Sequence, residues 1–376
     1  MILLPVKVYA HEWDAENGTI RVEGAPASRL KELLRGKALI EEEIAMLTDI
    51  VEQLENGKQG TAHCRFSEIL RQHKYRKLER SFFLFMEHRI ADLSKAGQDS
   101  TAENYQSAFG CFREFRRKKD LAISDLTGNI MQDFQKYMKR KGLAMNTISL
   151  YNRNLRAAYN YALDEGLLRE DRRPFCKVFT GQEKTRKRAV KADIVKQLIR
   201  LPLEGHPELV FARDIFLFCI YTRGMAFVDV AHLTATAPQG QTLVYKRSKT
   251  GQQLEVELPK CALEIIARYK EPGNPYLFPI LHNVEAGKTT RYRTALREYN
   301  RRLHRLSDRL GMEKPLSSYV ARHTWASLAK WNGVSDSVIS EAMGHANIMT
   351  TIIYLASLDA DVISAANHTV LASLMK

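Results

Sequence analysis

From about Leu78 to Leu168 the apolar residues keep a helical period, so this stretch has to bury itself as a packed bundle of helices. Ser100 and Glu103 have the spacing of a capping box, which predicts a helix start there with Tyr105, Ala108, Phe109, Phe112 and Phe115 turned inward. That helix runs into Arg116, Arg117, Lys118 and Lys119, cations that suit the negative end of a helix dipole. A further helix is predicted from Asn146 or Thr147, with Ile148, Leu155, Ala158 and Ala162 on its apolar side and Arg153 and Arg156 opposite. Lys136, Lys139, Arg140 and Lys141 form a third basic cluster. Any one such cluster is an ordinary solvated helix face. Three of them on one small bundle point to contact with a phosphate backbone.

The flanking segments read differently. In residues 1–75, Val6-Lys7-Val8-Tyr9 and Thr19-Ile20-Arg21-Val22 alternate as short strands around an Asn17-Gly18 turn. A long helix is expected from Ser28 to Glu55, with Leu30, Leu33, Leu34, Leu39, Ile40, Ile44, Leu47 and Val51 as its apolar side. After the bundle, assigned to residues 76–170, comes an expected linker over 171–189, where Lys184, Arg186, Lys187 and Arg188 make a positively charged strap. Residues 190–376 read as a mostly helical domain with one clear hairpin. Thr242–Arg247 and Leu254–Leu258 are its strands and Lys249-Thr250-Gly251 its turn.

A chain of 376 residues suggests two or three domains, and a 45% hydrophobic content supports real cores. The 57 Lys+Arg against 43 Asp+Glu, a net charge of +14, favour DNA or RNA as partner over a membrane. Five cysteines without paired spacing give neither a zinc site nor a disulfide framework, and fit a reduced compartment. The start, Met1 to Val6 followed by Lys7, is too short for a signal peptide, and the most apolar window, Ile215–Tyr221, is far below a membrane span. A cytoplasmic protein, bound to the nucleoid when on DNA, is expected. No Walker loop and no acidic triad for two metals is readable, so no metal and no cofactor are expected.

The chemistry is concentrated near the end of the chain. Ala321-Arg322-His323-Thr324 is followed by Met343-Gly344-His345 and, nine residues after that histidine, by Tyr354. Arg322 can hold two non-bridging phosphate oxygens in a fork that stays charged at any working pH. His345 can hydrogen-bond the same phosphate, and Tyr354 offers a hydroxyl able to attack phosphorus. Each residue type is common alone; this order and spacing is not.

These residues resemble the tyrosine recombinases, or phage-type integrases. Leu316 to Ala326 looks like that family's second-arginine box, and Met343-Gly344-His345 with Thr350 to Tyr354 looks like its histidine-plus-nucleophile box. The phrasing is most similar to integrases of the Bacteroides type. The resemblance implies a mainly α fold with small β elements: a helical, SAM-like core-binding domain and a mixed, mostly helical catalytic domain, together a C-shaped clamp. It implies attack by Tyr354 to give a 3′-phosphotyrosine and a free 5′-hydroxyl, without ATP, within a homotetramer on double-stranded DNA passing through a Holliday junction. Lys249 resembles the general acid that protonates the departing oxygen. The tail, Asp359 to Lys376, resembles the apolar helices that dock on a neighbouring protomer or on their own domain. Lys139, Arg140, Arg153, Arg156, Lys184, Arg186, Lys187 and Arg188 are candidate DNA contacts. An accessory protein that bends DNA or sets direction stays open.

Two positions depart from the family pattern. Ala226 stands where the first arginine belongs, three residues before Asp229. Arg247 or Arg223 can replace it: Arg247 shares a strand face with Lys249 if the strand persists that far, and Arg223 lies one turn before Ala226 if the helix is continuous. Asp229 is then free to brace a basic group. Tyr319 stands where histidine is usual, three residues before Arg322, and a phenol, with a reference pKa of about 10, is a poor proton acceptor. His323 is expected to face elsewhere, about 100° around the helix from Arg322. These substitutions keep a second reading alive, a DNA-binding regulator that has lost the chemistry. A third, a type IB topoisomerase, shares the phosphotyrosine chemistry but not the exchange-type boxes.

Overall fold

The computed structural model describes residues 7–56, 66–183, 188–284, 286–345, 349 and 351–352. The chain divides into two compact units, residues 1–184 and 185–376.

The first unit begins with strands β1 (Trp13–Asp14) and β2 (Thr19–Ile20), paired antiparallel. Residues 7–9 are not a strand. The Glu12 carboxylate accepts the Tyr9 N–H at 2.8 Å and is held by Arg29 at 3.1 Å, which curls this segment and starts the pairing later than the alternation suggests. Six helices follow: α1 (Ala27–Asn56), α2 (Phe66–Arg80), α3 (Phe82–Lys95), α4 (Asp99–Phe115), α5 (Gly128–Arg140) and α6 (Met145–Asp164).

On α1 the buried stripe is narrower than expected. Leu33, Gly36, Met46 and Ile50 are covered, whereas Leu34 and Ile44 are about half exposed, because α2 and β2 cover only one face of the helix. Ser100 lies inside α4 rather than capping it; Gln98, whose N–H returns to the Leu93 carbonyl at the end of α3, occupies the cap instead. Ser81 and Thr127 are the side chains that cap α3 and α5, through the Leu84 and Ile130 amides.

The bundle core is aromatic. Phe82 and Phe134 each meet Phe112 edge-to-face, with centroids 5.4 and 5.2 Å apart, the offset geometry that the ring quadrupole favours by about 0.5–1.5 kcal/mol per pair. Two boundaries differ from the sequence reading. A division at residue 75 falls inside α2, and the first part of the expected linker packs as structure. Phe175 and Val178 are buried in the bundle core, and Asn152 of α6 donates to the Phe179 carbonyl at 3.0 Å. Apolar side chains in the first part of the expected linker bring it down onto the bundle.

The second unit is built around α8 (Pro207–Tyr221), between α7 (Ala192–Arg200) and α9 (Phe227–His232). From Asp214 to Ile220 every residue of α8 is buried, as a helix apolar on all sides requires. α10 (Lys260–Tyr269), α11 (Tyr292–Arg309) and α12 (Val320–Trp331) pack around it, and α13 (Asp336–Ala342) packs on α12. Cys219 is a core residue whose thiol burial pushes up to about 12. The hairpin is present, with a strand the pattern did not reveal: β3 (Pro238–Gln239), β4 (Thr242–Lys246) and β5 (Gln253–Glu257) form an antiparallel sheet in that order. Leu243 opposes Val256 in β5, and both are buried. A two-stranded ribbon, β6 (His282–Asn283) and β7 (Lys288–Thr289), precedes α11. Among the described residues no helix is long and apolar enough to cross a membrane.

Candidate active site

A cleft of about 280 Å³ in the second unit is lined by Ala226, Asp229, Arg247, Lys249, Ser318, Tyr319 and Arg322, with Phe227, Val228, Tyr292 and Leu296 as its apolar wall. Four separate elements supply its polar groups: the start of α9, the β4–β5 turn, the loop before α12, and α12 itself. A larger concavity of about 590 Å³ shares only Phe227 with this cleft and contains none of the site residues expected from sequence.

Arg322 is 2% exposed in the first turn of α12. Its Nη1 donates to the Gly224 carbonyl at 2.8 Å, and its Nη2 donates to the Met343 carbonyl at 2.7 Å and to Nε2 of His345 at 2.9 Å. The backbone approach is close: a Cβ on Gly224 would lie 3.1 Å from Arg322 Cα, so only glycine lets the α8–α9 connection reach α12. Arg247 is 5% exposed and donates from Nη1 to the Gly344 carbonyl. Its Nε is buried and has no hydrogen-bond partner among the described residues. The two arginines thus hold consecutive carbonyls of one turn while both face the cleft.

His345 follows that turn. Because Arg322 donates to its Nε2, the ring proton is assigned to Nδ1, which donates to Thr351 Oγ1 at 2.8 Å. Burial, then the positive charges of Arg322, Arg247 and Lys249, push its pKa down to about 4. His345 is therefore neutral at physiological pH, beside two buried guanidiniums. Charges removed from water require compensation, which the Gly224, Met343 and Gly344 carbonyls supply in part, and a cleft lined by two guanidiniums and a lysine is chemically suited to an oxyanion.

Lys249 is exposed on the turn and lines the cleft with Arg247. The two do not share a strand face, because β4 ends at Lys246; the turn brings them together instead. Among the described residues Asp229 makes no ion pair with a basic side chain. Its Oδ1 accepts the Ser248 N–H at 2.8 Å, between Arg247 and Lys249 in the chain, and so ties the turn to α9.

Arg223 lies elsewhere. The helix is not continuous, because Arg223 (φ 59°) and Gly224 (φ 72°) are both left-handed and reverse the chain between α8 and α9. The Arg223 Nη1 donates to the Glu255 carbonyl at 3.2 Å, and Arg223 does not line the cleft. Tyr319 stands at the cleft mouth, 44% exposed. Tyr354, the start of its expected helix at Asn347, the tail over 359–376, and Lys184, Arg186 and Lys187 all lie outside the described residues. Lys139, Arg140, Arg153 and Arg156 are exposed on α5 and α6, and Arg188 is exposed in the second unit. Among the described residues no group of three His, Cys, Asp or Glu side chains is placed to hold a metal ion.

Sequence reasoning missed α11. Its Tyr292 and Leu296 wall the cleft, and its Arg293, Arg297 and Arg301 are exposed. The signal was present as a run of arginines at helical spacing. The Gly224, Met343 and Gly344 carbonyls were missed for a different reason, since nothing in sequence marks a backbone acceptor, and the Thr351 hydroxyl was missed because its partner is fixed only by the fold.

Comparison with known proteins agrees with this geometry. Residues 81–178 match the phage integrase SAM-like domain and residues 212–361 match the phage integrase family. Tyrosine recombinase XerD of Rhizobium meliloti is 24% identical over 291 residues, 72% of this chain and 88% of its own length. Tyrosine recombinase XerD of Listeria innocua is 23% identical over 239 residues, 61% of this chain and 77% of its own. In fold the chain is similar to the Tn1549 transposon integrase in complex with transposon right end DNA (TM-score 0.58, 15% identity, 77% of this chain and 99% of that one). It is also similar to the lambda integrase tetramer bound to a Holliday junction (TM-score 0.58, 16% identity, 92% and 91%). With an integrase-type helical domain preceding the domain that gathers Arg322, His345 and Lys249 beside Arg247, this chain belongs to the tyrosine recombinase family.

Proposed function

We propose that this chain is a site-specific DNA recombinase that cleaves and rejoins strands through Tyr354. One observation carries the reading: Arg247 and Arg322, both buried, line one cleft with Lys249, and neutral His345 is hydrogen-bonded to Arg322, a set of groups suited to an oxyanion. In this reading the scissile phosphate enters the cleft, and its non-bridging oxygens are held by the two guanidiniums. Arg247 takes the place of the arginine missing at Ala226, whereas Arg223 is committed to the β5 backbone. The Tyr354 oxygen forms a bond to phosphorus as the bond from phosphorus to the 5′-oxygen breaks, and Lys249 protonates that oxygen. The phenolic proton lost by tyrosine balances the one Lys249 gives up, so one ester replaces another and reversal needs no external energy. The donors are in place before charge builds on the phosphate, and such preorganised electrostatics is the largest contribution to many enzymes.

The DNA duplex is the substrate, with Lys139, Arg140, Arg153, Arg156 and Arg188 as backbone contacts, joined by Lys184, Arg186 and Lys187 and by the exposed arginines of α11. A tetramer on a Holliday junction, as in the lambda integrase complex, is the expected working assembly.

The test is incubation with a nicked suicide DNA substrate carrying the recognised site. The chain should become covalently attached, and Tyr354→Phe should bind that DNA and never attach. A covalent complex that persists in Tyr354→Phe would move the nucleophile elsewhere. A wild-type chain that shifts the DNA without attaching would be a regulator on the same fold.

A further inference from the structure

Tyr319 and His323 are separated by one helical turn, the spacing at which side chains on one helix face meet. Tyr319 is the N-cap residue of α12, so its ring projects at the cleft mouth while Arg322 reaches inside. Tyr319 is 44% exposed, so a packed neighbour that holds its ring bears on the direction of its hydroxyl. His323 is beneath that ring. Its imidazole is 8% exposed and meets the phenol edge-to-face, with centroids 4.9 Å apart and planes at 75°.

We propose that His323 is a positioning residue that orients the Tyr319 phenol over the cleft, so that its hydroxyl donates a hydrogen bond to a non-bridging oxygen of the scissile phosphate. The inference rests on the reading of the cleft as the phosphate site. Histidine at position 319 would offer both a donor and a proton acceptor. Tyrosine offers a donor on a longer arm, and a longer arm needs a support to be aimed. The pair Tyr319–His323 divides between two residues what one shorter side chain does elsewhere: the hydroxyl makes the contact and the buried ring sets its direction.

The experiment compares rates of covalent-complex formation on the suicide DNA for wild type, Tyr319→Phe, His323→Leu, His323→Phe and the double variant Tyr319→Phe/His323→Leu, with a thermal unfolding midpoint for each. Loss of a hydrogen bond to a charged group should slow Tyr319→Phe by about 10-fold or more. His323→Leu should slow to a similar degree, and the double variant should be no slower than Tyr319→Phe alone, because the support has no effect once the hydroxyl is gone. His323→Phe restores an aromatic edge under Tyr319 and should recover most of the rate lost in His323→Leu, which a purely structural role for the imidazole nitrogens would not allow. Where the leucine variant folds poorly, His323→Gln removes the ring at similar size and reads the same effect.

The inference is overturned by wild-type cleavage in His323→Leu. It is equally overturned if that loss recurs in full in the Tyr319→Phe background, or if His323→Phe is as slow as His323→Leu. A wild-type chain that forms no covalent complex would remove the functional reading and this inference together, whereas normal wild-type cleavage with an indifferent His323 removes the inference alone.

Discussion

Gly344→Ala tests how tightly the arginine pair is built against the turn before His345. Gly344 has φ 63°, a left-handed conformation that disfavours a side chain by about 1–2 kcal/mol. A Cβ there would stand 2.9 Å from Leu254 Cδ1, 3.0 Å from Arg247 Cδ and 3.2 Å from Gln252 Oε1. Relief of that crowding adds roughly 1–3 kcal/mol, as overpacking a filled site does. The expected destabilisation is therefore about 2–5 kcal/mol. Gly333→Ala supplies the backbone contribution alone, because Gly333 has φ 80° and nothing within 4 Å of the added Cβ. Urea unfolding of the full chain, followed by the fluorescence of Trp325 and Trp331 in the second unit, measures both variants. The chemistry should fall as well. Arg247 must shift away from the new methyl while its Nη1 is bonded to the Gly344 carbonyl, and a misplacement of about 1 Å can slow a reaction about 10²-fold. Unfolding no easier than for Gly333→Ala, together with wild-type covalent-complex formation, would show that Arg247 and the turn are not coupled.

Other consequences separate the residues of the cleft. Arg247→Ala should slow covalent-complex formation by about 10²–10³, the loss expected for one donor to a developing oxyanion, while Arg223→Ala should change it little; equal losses would reject the assignment. Ala226 lines the same cleft, so Ala226→Arg introduced into Arg247→Ala should restore part of the rate, and no recovery would mean that the two positions do not reach one phosphate. His345 has a pKa lowered from the ordinary 6.5 to about 4, so the unfolded chain binds a proton that the folded chain refuses between those values. Its contribution to stability is complete above about 6.5 and is lost as pH falls toward 4. Urea midpoints at pH 7 and pH 5 should therefore drop more in wild type than in His345→Gln, and identical drops would contradict the neutral, buried imidazole.

The sequence by itself determined the class of chemistry and the material of the fold. Arg322, His345 and Tyr354 lie close together in the chain, so their spacing alone carries a signal. The helices of the bundle and the β4–β5 hairpin follow from local periodicity, which acts over a few residues whatever the rest of the chain does. Tertiary structure decided the rest. Arg247 and Arg223 were both candidates in sequence, with Arg247 slightly favoured, and they are separated by a chain reversal after α8 and by the carbonyls they meet, Glu255 for Arg223 and the distant Gly344 for Arg247. Asp229 was read as able to brace a basic group and holds a backbone amide, and the first part of the expected linker packs through Phe175 and Val178. In each case the acceptor or the covering surface comes from distant chain, and a backbone carbonyl is the same group at every position. Only packing can decide which one a buried guanidinium meets.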